Sequence, residues 1–316
     1  MDTEKCRALL AAVEAGTMAD AAKHLGYTTS GISRAIASLE EELGLTLLYR
    51  GRSGICLTPD GEQLLPAIRS FLRQGEILEE TAKSLQGLEF GQLRIGVSHV
   101  SYYRQIANVV EAFRRQYPGV EVSIIQGNSS HLRDEMLAHR LDLFIGSERE
   151  GDFTFTLSGE DEMCVCVAAD HPAANEEIYD LRNLKDEKLI MPYADTETNA
   201  RMLLTQLGIQ PLAQYTTTDI YSAYSMAEAG LGVTFLNRIE AESWTGNVKL
   251  LKTHPVYTIR TGLMYQEKTL SLTGRRFLQL RESFPDDTGE LDELLDKTLK
   301  VMAATEEEIR KRMGQA

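Results

Sequence analysis

Apolar residues recur at helical spacing from the start of the chain: Cys6, Leu9, Leu10 and Val13 share one face. Gly16 ends that helix, as glycine does just past a C-terminus. Thr17 suits an N-cap, and Asp20 suits the positive end of the next helix. Ala21, Ala22 and Leu25 would form its inner face. Gly26-Tyr27 breaks it, and Thr28 is the next cap. Ile32, Ile36, Leu39 and Leu43 then run at spacings of 4, 3 and 4 up to Gly44. Two helices joined by a short glycine-containing turn make a helix-turn-helix. Leu45 to Tyr49 and Ile55 to Leu57 are expected to pair around Arg50-Gly51-Arg52-Ser53-Gly54, a hairpin with both arginines at its tip.

Thr58-Pro59-Asp60 is a compact helix start. Leu64, Ile68, Phe71, Gly75, Leu78, Ala82 and Leu85 follow at alternating spacings of 4 and 3. That is the coiled-coil period, and such a stripe needs a partner. The partner is either the same helix of another subunit or the chain's own domain.

Beyond residue 90 strands and helices alternate. Gly91 to Val97, Val120 to Ile125 and Leu141 to Ile145 read as strands around helices at Tyr103 to Tyr117 and Leu132 to Leu137. A second set starts at Met163 to Ala169 and continues through Leu189 to Met191, Ala200 to Leu207, Tyr224 to Ala229 and Val233 to Leu236. Val256 to Met264 looks like a return strand and Leu272 to Phe284 a closing helix. Such repetition predicts a parallel sheet covered by helices. Ligands of these sheets bind outside the carboxyl ends of the strands. The corners there are Ser98-His99-Val100-Ser101, Asn128-Ser129-Ser130, Gly146-Ser147 and Pro192-Tyr193 with Thr196. Ser98, Ser129 and Thr196 would serve equally as helix caps.

Composition narrows the chemistry. The 316 residues are 43% hydrophobic and 25% charged, and the net charge is −14. An acidic chain is a poor indiscriminate nucleic-acid binder, since that binding rests on phosphate neutralisation. It leaves room for a small reading head: Thr28, Thr29, Ser30, Ser33 and Arg34 open the second helix of the motif, where short hydroxyls and one guanidinium reach phosphates and base edges. Arg50 and Arg52 of the hairpin would follow the backbone or a narrow minor groove. No apolar run reaches the roughly 18 residues of a membrane span, and no signal core opens the chain. Four cysteines make no disulfide framework, so a cytoplasmic protein is expected.

Catalytic motifs fail in turn. Gly96-Val97-Ser98-His99-Val100 lacks the second glycine of a nucleophile elbow, and Gly230-Leu231-Gly232 lacks the third glycine of a dinucleotide loop. Cys164 and Cys166 share one strand face, where small core residues usually stand. No catalytic residue, cofactor or metal site is expected.

The stretch GTMADAAKHLGYTTSGISRAIASLEEELGLTLLYRGRSGICLTPDGEQLL resembles the N-terminal domain of LysR-type transcriptional regulators. Ala21-Ala22, Leu25, Ser33-Arg34, Ile36, Leu39-Glu40, Leu43-Gly44, Leu57-Thr58 and Gly61 carry the likeness. Thr29 stands where that family often has Gln, Ser53 where Arg is frequent, and Leu48 where an aromatic is common. The remainder, to about residue 285, resembles the family's effector domain more loosely. The resemblance implies an α/β protein with a winged helix-turn-helix at 1–58 and a dimerising linker helix at 59–89. A two-lobed, periplasmic-binding-protein-like domain would follow at 90–285, with lobes 90–160 plus 256–285 and 161–255. It further implies double-stranded DNA, a small effector and other copies of the chain (a homodimer or homotetramer) as partners. Ser98, His99, Ser101, Asn128, Ser129, Gly146, Pro192, Tyr193 and Thr196 would line the effector cleft. A solute-binding protein or enzyme using the same body is the alternative. Residues 286–316 add a stripe of Leu291, Leu294, Leu295, Leu299 and Met302, for packing on the domain or for a subunit contact.

Overall fold

A computed structural model describes residues 2–51, 54–86, 90–194, 196–210, 213–241 and 244–284. The chain divides into two compact units, Met1–Leu88 and Glu89–Ala316.

The first unit is α1 (Thr3–Ala15), α2 (Met18–Leu25), α3 (Thr29–Leu43), the hairpin β1 (Leu48–Gly51) and β2 (Gly54–Leu57), and α4 (Pro59–Leu85). Thr17, Thr28 and Thr58 each accept a hydrogen bond from the backbone N–H three residues on. Gly16, Gly26 and Gly44 close the first three helices in the left-handed region, where glycine carries no Cβ penalty. Cys6, Leu9, Ala12, Ala21, Ile36 and Leu39 are fully buried in one core with Leu47.

The hairpin is displaced towards its tip relative to the pattern, with Leu48–Gly51 paired to Gly54–Leu57. Glu40 Oε1 accepts from the N–H groups of Leu47 and Leu48 (2.7 and 3.2 Å), which ties residues 45–47 to α3 instead of a ladder. Arg50 therefore lies within the ladder, opposite Ile55, and not at the tip. Arg52 and Ser53 lie outside the described residues. The stripe on α4 also divides. Leu64, Ile68 and Phe71 pack into the head's own core, and Gly75 lies close to Thr3 of α1. Leu78 and Leu85, by contrast, are 71% and 85% exposed.

The second unit runs β3 (Gly91–Val97), α5 (Tyr102–Gln116), β4 (Val120–Gln126), α6 (Ser129–Leu137), β5 (Leu143–Ser147) and β6 (Thr154–Ala168). After β7 (Ile178–Asp180) come β8 (Leu189–Pro192), α7 (Asn199–Gln206), β9 (Ala213–Thr217), α8 (Ile220–Glu228), β10 (Val233–Asn237) and α9 (Arg238–Ala241). β11 (Val248–His254), β12 (Thr258–Tyr265) and α10 (Leu272–Glu282) complete it. Among the described residues the sheet order is β4-β3-β5-β12-β6-β10-β8-β9, with β11 joining β6 to β7.

The sheet is mixed: the parallel pairing expected holds within each half, and β6 and β12 depart from it. β3, β4 and β5 are parallel, as are β8, β9 and β10, but β6 and β12 run antiparallel to their neighbours. β6 is 15 residues long: its first part pairs with β12 and its second with β10 and β11. It thus starts well before Met163, and the chain crosses between two half-sheets along β6 and returns along β12.

Alternation along the strands builds separate cores on each face. Leu93, Ile95 and Val97 of β3 meet Phe113 and Phe277 of α5 and α10. In β6, Met163, Val165 and Val167 face one cluster of the second half, and Cys164 and Cys166 face the other beside Tyr224. The two cysteines are core residues, and burial pushes both thiols up, Cys166 to about 12. The stripe at 291–302 lies outside the described residues.

Candidate nucleic-acid interface and effector cleft

In the first unit Thr28 Oγ1 accepts from Gly31 N (3.1 Å) and lies 3.2 Å from Ser30 Oγ, so both hydroxyls gather at the start of α3. Thr28, Thr29, Ser30 and Arg34 are exposed, and Ser33 is half-buried. Arg34 Nε donates to Ser30 O (3.4 Å), which lays the guanidinium back towards the helix start. No carboxylate among the described residues pairs with it. Other head cations are engaged: Lys23 with Asp20 at 3.2 Å, Arg50 with Glu40 at 3.7 Å, and Lys5 with Glu42. The acidic run at 40–42 is thereby partly neutralised, with Glu40 turned inward. The hairpin is anchored to the motif, since Ile55 N donates to Gly16 O (2.9 Å).

In the second unit the carboxyl ends of the strands converge on a cavity of about 40 Å³. Ser98, His99, Asn128, Ser129, Pro192 and Tyr193 line it, as the corner rule predicted. Gly146 lies beneath: a Cβ there would stand 2.5 Å from Ser98 Oγ and 2.7 Å from Ser129 Oγ. Ser129 Oγ donates to Ser98 Oγ (3.1 Å) and accepts from Ser147 N (2.9 Å).

Two predicted residues stand elsewhere. Ser101 is exposed, precedes α5 with a helical backbone, makes no side-chain cap bond and does not line the cavity. Thr196 does not line it either. Its Oγ1 donates to Tyr193 O (3.0 Å) and accepts from Asn128 Nδ2 (2.8 Å), which links the two halves. The caps also fall differently: Asn128 caps α6 and Thr198 caps α7, so capping does not explain Ser129 or Thr196. Tyr193 adopts φ 55°, a left-handed conformation costly for a side chain of its size and typical of ligand-facing turns.

The cavity has further polar walls that the strand-and-corner reading missed: Arg149, Asn199, Asn237 and Glu240. Asn199 Nδ2 donates to Ser147 Oγ and to Asn237 Oδ1, both at 2.8 Å. Asn237 Nδ2 donates to Asp161 Oδ2 (2.9 Å), whose carboxyl is pushed up by burial. His99 is 3% exposed. Its Nδ1 lies 3.1 Å from Glu240 Oε1 and its Nε2 3.2 Å from Ser147 Oγ. The His99 ring thus bridges the Glu240 carboxylate and the Ser147 hydroxyl. Asn237 ends β10 and Arg149 stands two residues past β5, so the corner rule extended to every strand end would have found both.

Against known families, residues 86–284 match the LysR substrate binding domain. Residues 3–62 match the bacterial regulatory helix-turn-helix protein, lysR family. This chain belongs to the LysR family. It is a LysR-type transcriptional regulator with a helix-turn-helix head and a substrate-binding effector domain. Similar curated proteins include the uncharacterized HTH-type transcriptional regulator YvbU of Bacillus subtilis, 27% identical over 227 residues (72% of this chain, 78% of that one). HTH-type transcriptional regulator TtuA of Agrobacterium vitis is 26% identical over 249 residues (77% and 82%). Among solved structures, a single-substitution variant of full-length OxyR from Pseudomonas aeruginosa aligns with a TM-score of 0.63 at 20% identity, covering 89% of this chain and 96% of that one. CbnR, a LysR family transcriptional regulator, gives 0.57 at 19% identity (89% and 98%). These likenesses show the fold of this LysR-type regulator. Among its described residues no helix is long and apolar enough to cross a membrane, and no group of three or more His, Cys, Asp or Glu is placed to hold a metal ion.

Proposed function

We propose that this LysR-type regulator acts on DNA in the cytoplasm, as a homodimer or homotetramer, and that a small effector bound between two lobes sets its activity. The reading is supported most by the cavity at the strand ends, which is walled by polar side chains of both halves. Asn128–Thr196, His99–Glu240 and Asn199–Ser147 tie the halves together around it. A ligand that favours one arrangement of the lobes shifts the population towards it. The lobes are 90–160 with 256–285, and 161–255, and the head comprises 1–58 with the linker at 59–89. Ser98, His99, Asn128, Ser129, Pro192 and Tyr193 contact the effector, with Gly146 giving their hydroxyls room. Thr28, Thr29, Ser30, Ser33, Arg34 and Arg50 contact DNA, with Arg34 the base-reading candidate.

One observation favours a different reading. Ser147, His99 and Glu240 stand in the order of a hydrolytic triad. Yet Ser147 is fully buried, accepts from Asn199 and does not line the cavity, so no carbonyl carbon reaches its Oγ. The relay is a tether between the halves, and the protein is not an enzyme. Screening metabolites by thermal shift, then measuring DNA binding with each hit, tests the function. The expected result is a ligand that raises the unfolding midpoint and changes DNA affinity. Turnover of p-nitrophenyl acetate lost in Ser147→Ala would contradict the non-enzymatic assignment.

A further inference from the structure

Arg149 is 8% exposed, although it carries a charge. Its Nε donates to Ser130 Oγ (2.8 Å) and its Nη1 to Glu148 O (2.9 Å). Nη2 donates to nothing among the described residues, and none of their carboxylates pairs with the guanidinium. Glu197 acts on it through space, but that carboxylate already takes Arg133 Nη1 (3.2 Å) and Ser130 Oγ (3.3 Å). Burial pulls the Arg149 pKa down to about 10, Glu197 partly offsets this, and the like charge of Arg133 adds to it. A buried charge without an ion partner is costly, and an anion that meets it recovers the cost.

Arg149 also stands between two spaces of different character. On one side is the cavity of about 40 Å³ with the Ser98, Asn128 and Ser129 side chains. On the other is a groove of about 750 Å³ walled by Phe153, Phe155, Met202 and Ile259. The groove's other charges largely cancel: Arg133 pairs with Glu197 and Arg260 with Glu148, while Glu150 is exposed. The inner space holds only a few atoms. A ligand that satisfies both spaces has a compact anionic head and an apolar body.

We propose that the effector is an organic carboxylate whose head pairs with Arg149 and whose aryl or short alkyl body lies in the outer groove on Phe153, Phe155 and Met202. This rests on the effector reading of the cleft and specifies its ligand class. In the bound state Arg149 Nη2 donates to the carboxylate. Ser98 Oγ, which accepts from Ser129, donates its proton to the same group.

The test is the unfolding midpoint of the full-length protein with benzoate, hexanoate, acetate, sulfate and neutral benzamide at matched ionic strength. Benzoate or hexanoate should raise the midpoint saturably, acetate and sulfate less, and benzamide not at all. Arg149→Gln should weaken the response about tenfold to a hundredfold, as loss of a charge-assisted hydrogen bond does. Because Gln removes an unpaired buried charge, the ligand-free variant should melt no lower than the wild type. An equal response to benzamide, or a full benzoate response in Arg149→Gln, overturns the proposal. A lower ligand-free midpoint with a retained response assigns Arg149 to structure alone. Stabilisation by acetate and sulfate without benzoate or hexanoate overturns the two-part site. If a cationic or uncharged metabolite stabilises the protein and changes DNA binding while the acids do not, the carboxylate class fails and the cleft reading stands. If no metabolite of any class does, the cleft reading itself fails.

Discussion

Arg34 is exposed at the start of α3, held back over Ser30 and unpaired with any carboxylate of the described residues. Replacing it with Ala should cost about 1–3 kcal/mol of specific DNA binding if it reads a base edge, measured by fluorescence anisotropy at fixed salt. Gly61 faces a different demand. A Cβ there would stand 2.3 Å from Leu47 O and 2.9 Å from Leu57 Cδ2. Gly61→Ala should therefore destabilise the head by about 1–3 kcal/mol despite alanine's better helix propensity, seen as a lower urea midpoint by circular dichroism. The cysteines give a third expectation. Cys56 is exposed, while Cys6, Cys164 and Cys166 are buried with raised pKa values that suppress the thiolate. A disulfide reagent at pH 8 should titrate one thiol quickly in the native protein and four after denaturation. Three fast native thiols would contradict the packing. Residues whose roles are local were legible in sequence: Thr17, Thr28 and Thr58 cap because a hydroxyl reaches three residues along. Asn199 and Glu240 were not, because their partners Ser147 and His99 lie 52 and 141 residues away.

At the scale of elements, α4 shows how one apolar stripe can serve two surfaces. Its period was readable, and the period alone could not say which residues the head would cover. Ile68 and Leu72 are buried in the head, and Leu78, Ala82 and Leu85 remain exposed on the same helix. An exposed leucine pair at coiled-coil spacing needs another apolar face. Leu78→Glu with Leu85→Glu should shift the protein towards monomer in sedimentation velocity while leaving its helical content unchanged. An unchanged sedimentation coefficient would remove this stripe from subunit association. The hairpin misread has an equally specific cause. Strand propensity favoured Leu45 to Leu47, but the Glu40 carboxylate captured the N–H groups of Leu47 and Leu48, a contact between separate elements that no local pattern encodes.

Across the whole molecule, helices and strands were found from their periods, but strand direction was not. β6 and β12 carry the same apolar alternation that parallel strands would, and only their pairing reveals that they run antiparallel and join the two halves. The site followed the same division: the corners directly ending regular strands were anticipated in both halves, at Ser98, Asn128 and Pro192-Tyr193, and the further walls Arg149, Asn199, Asn237 and Glu240 were not. Charge acquires a sharper meaning at this scale. The net charge is −14, and residues 1–90 hold 9 Lys and Arg against 13 Asp and Glu. Lys23, Arg50 and Lys5 are engaged by acids of the head itself. DNA recognition must therefore lean on a few placed contacts and on the pairing of subunits, with weak attraction to arbitrary sequence. The most direct test is the affinity of the full-length protein, at one physiological salt concentration, for DNA flanking its own gene and for a scrambled duplex of equal length. The flanking DNA should bind at least about 10³-fold more tightly, and equal affinities would contradict the account.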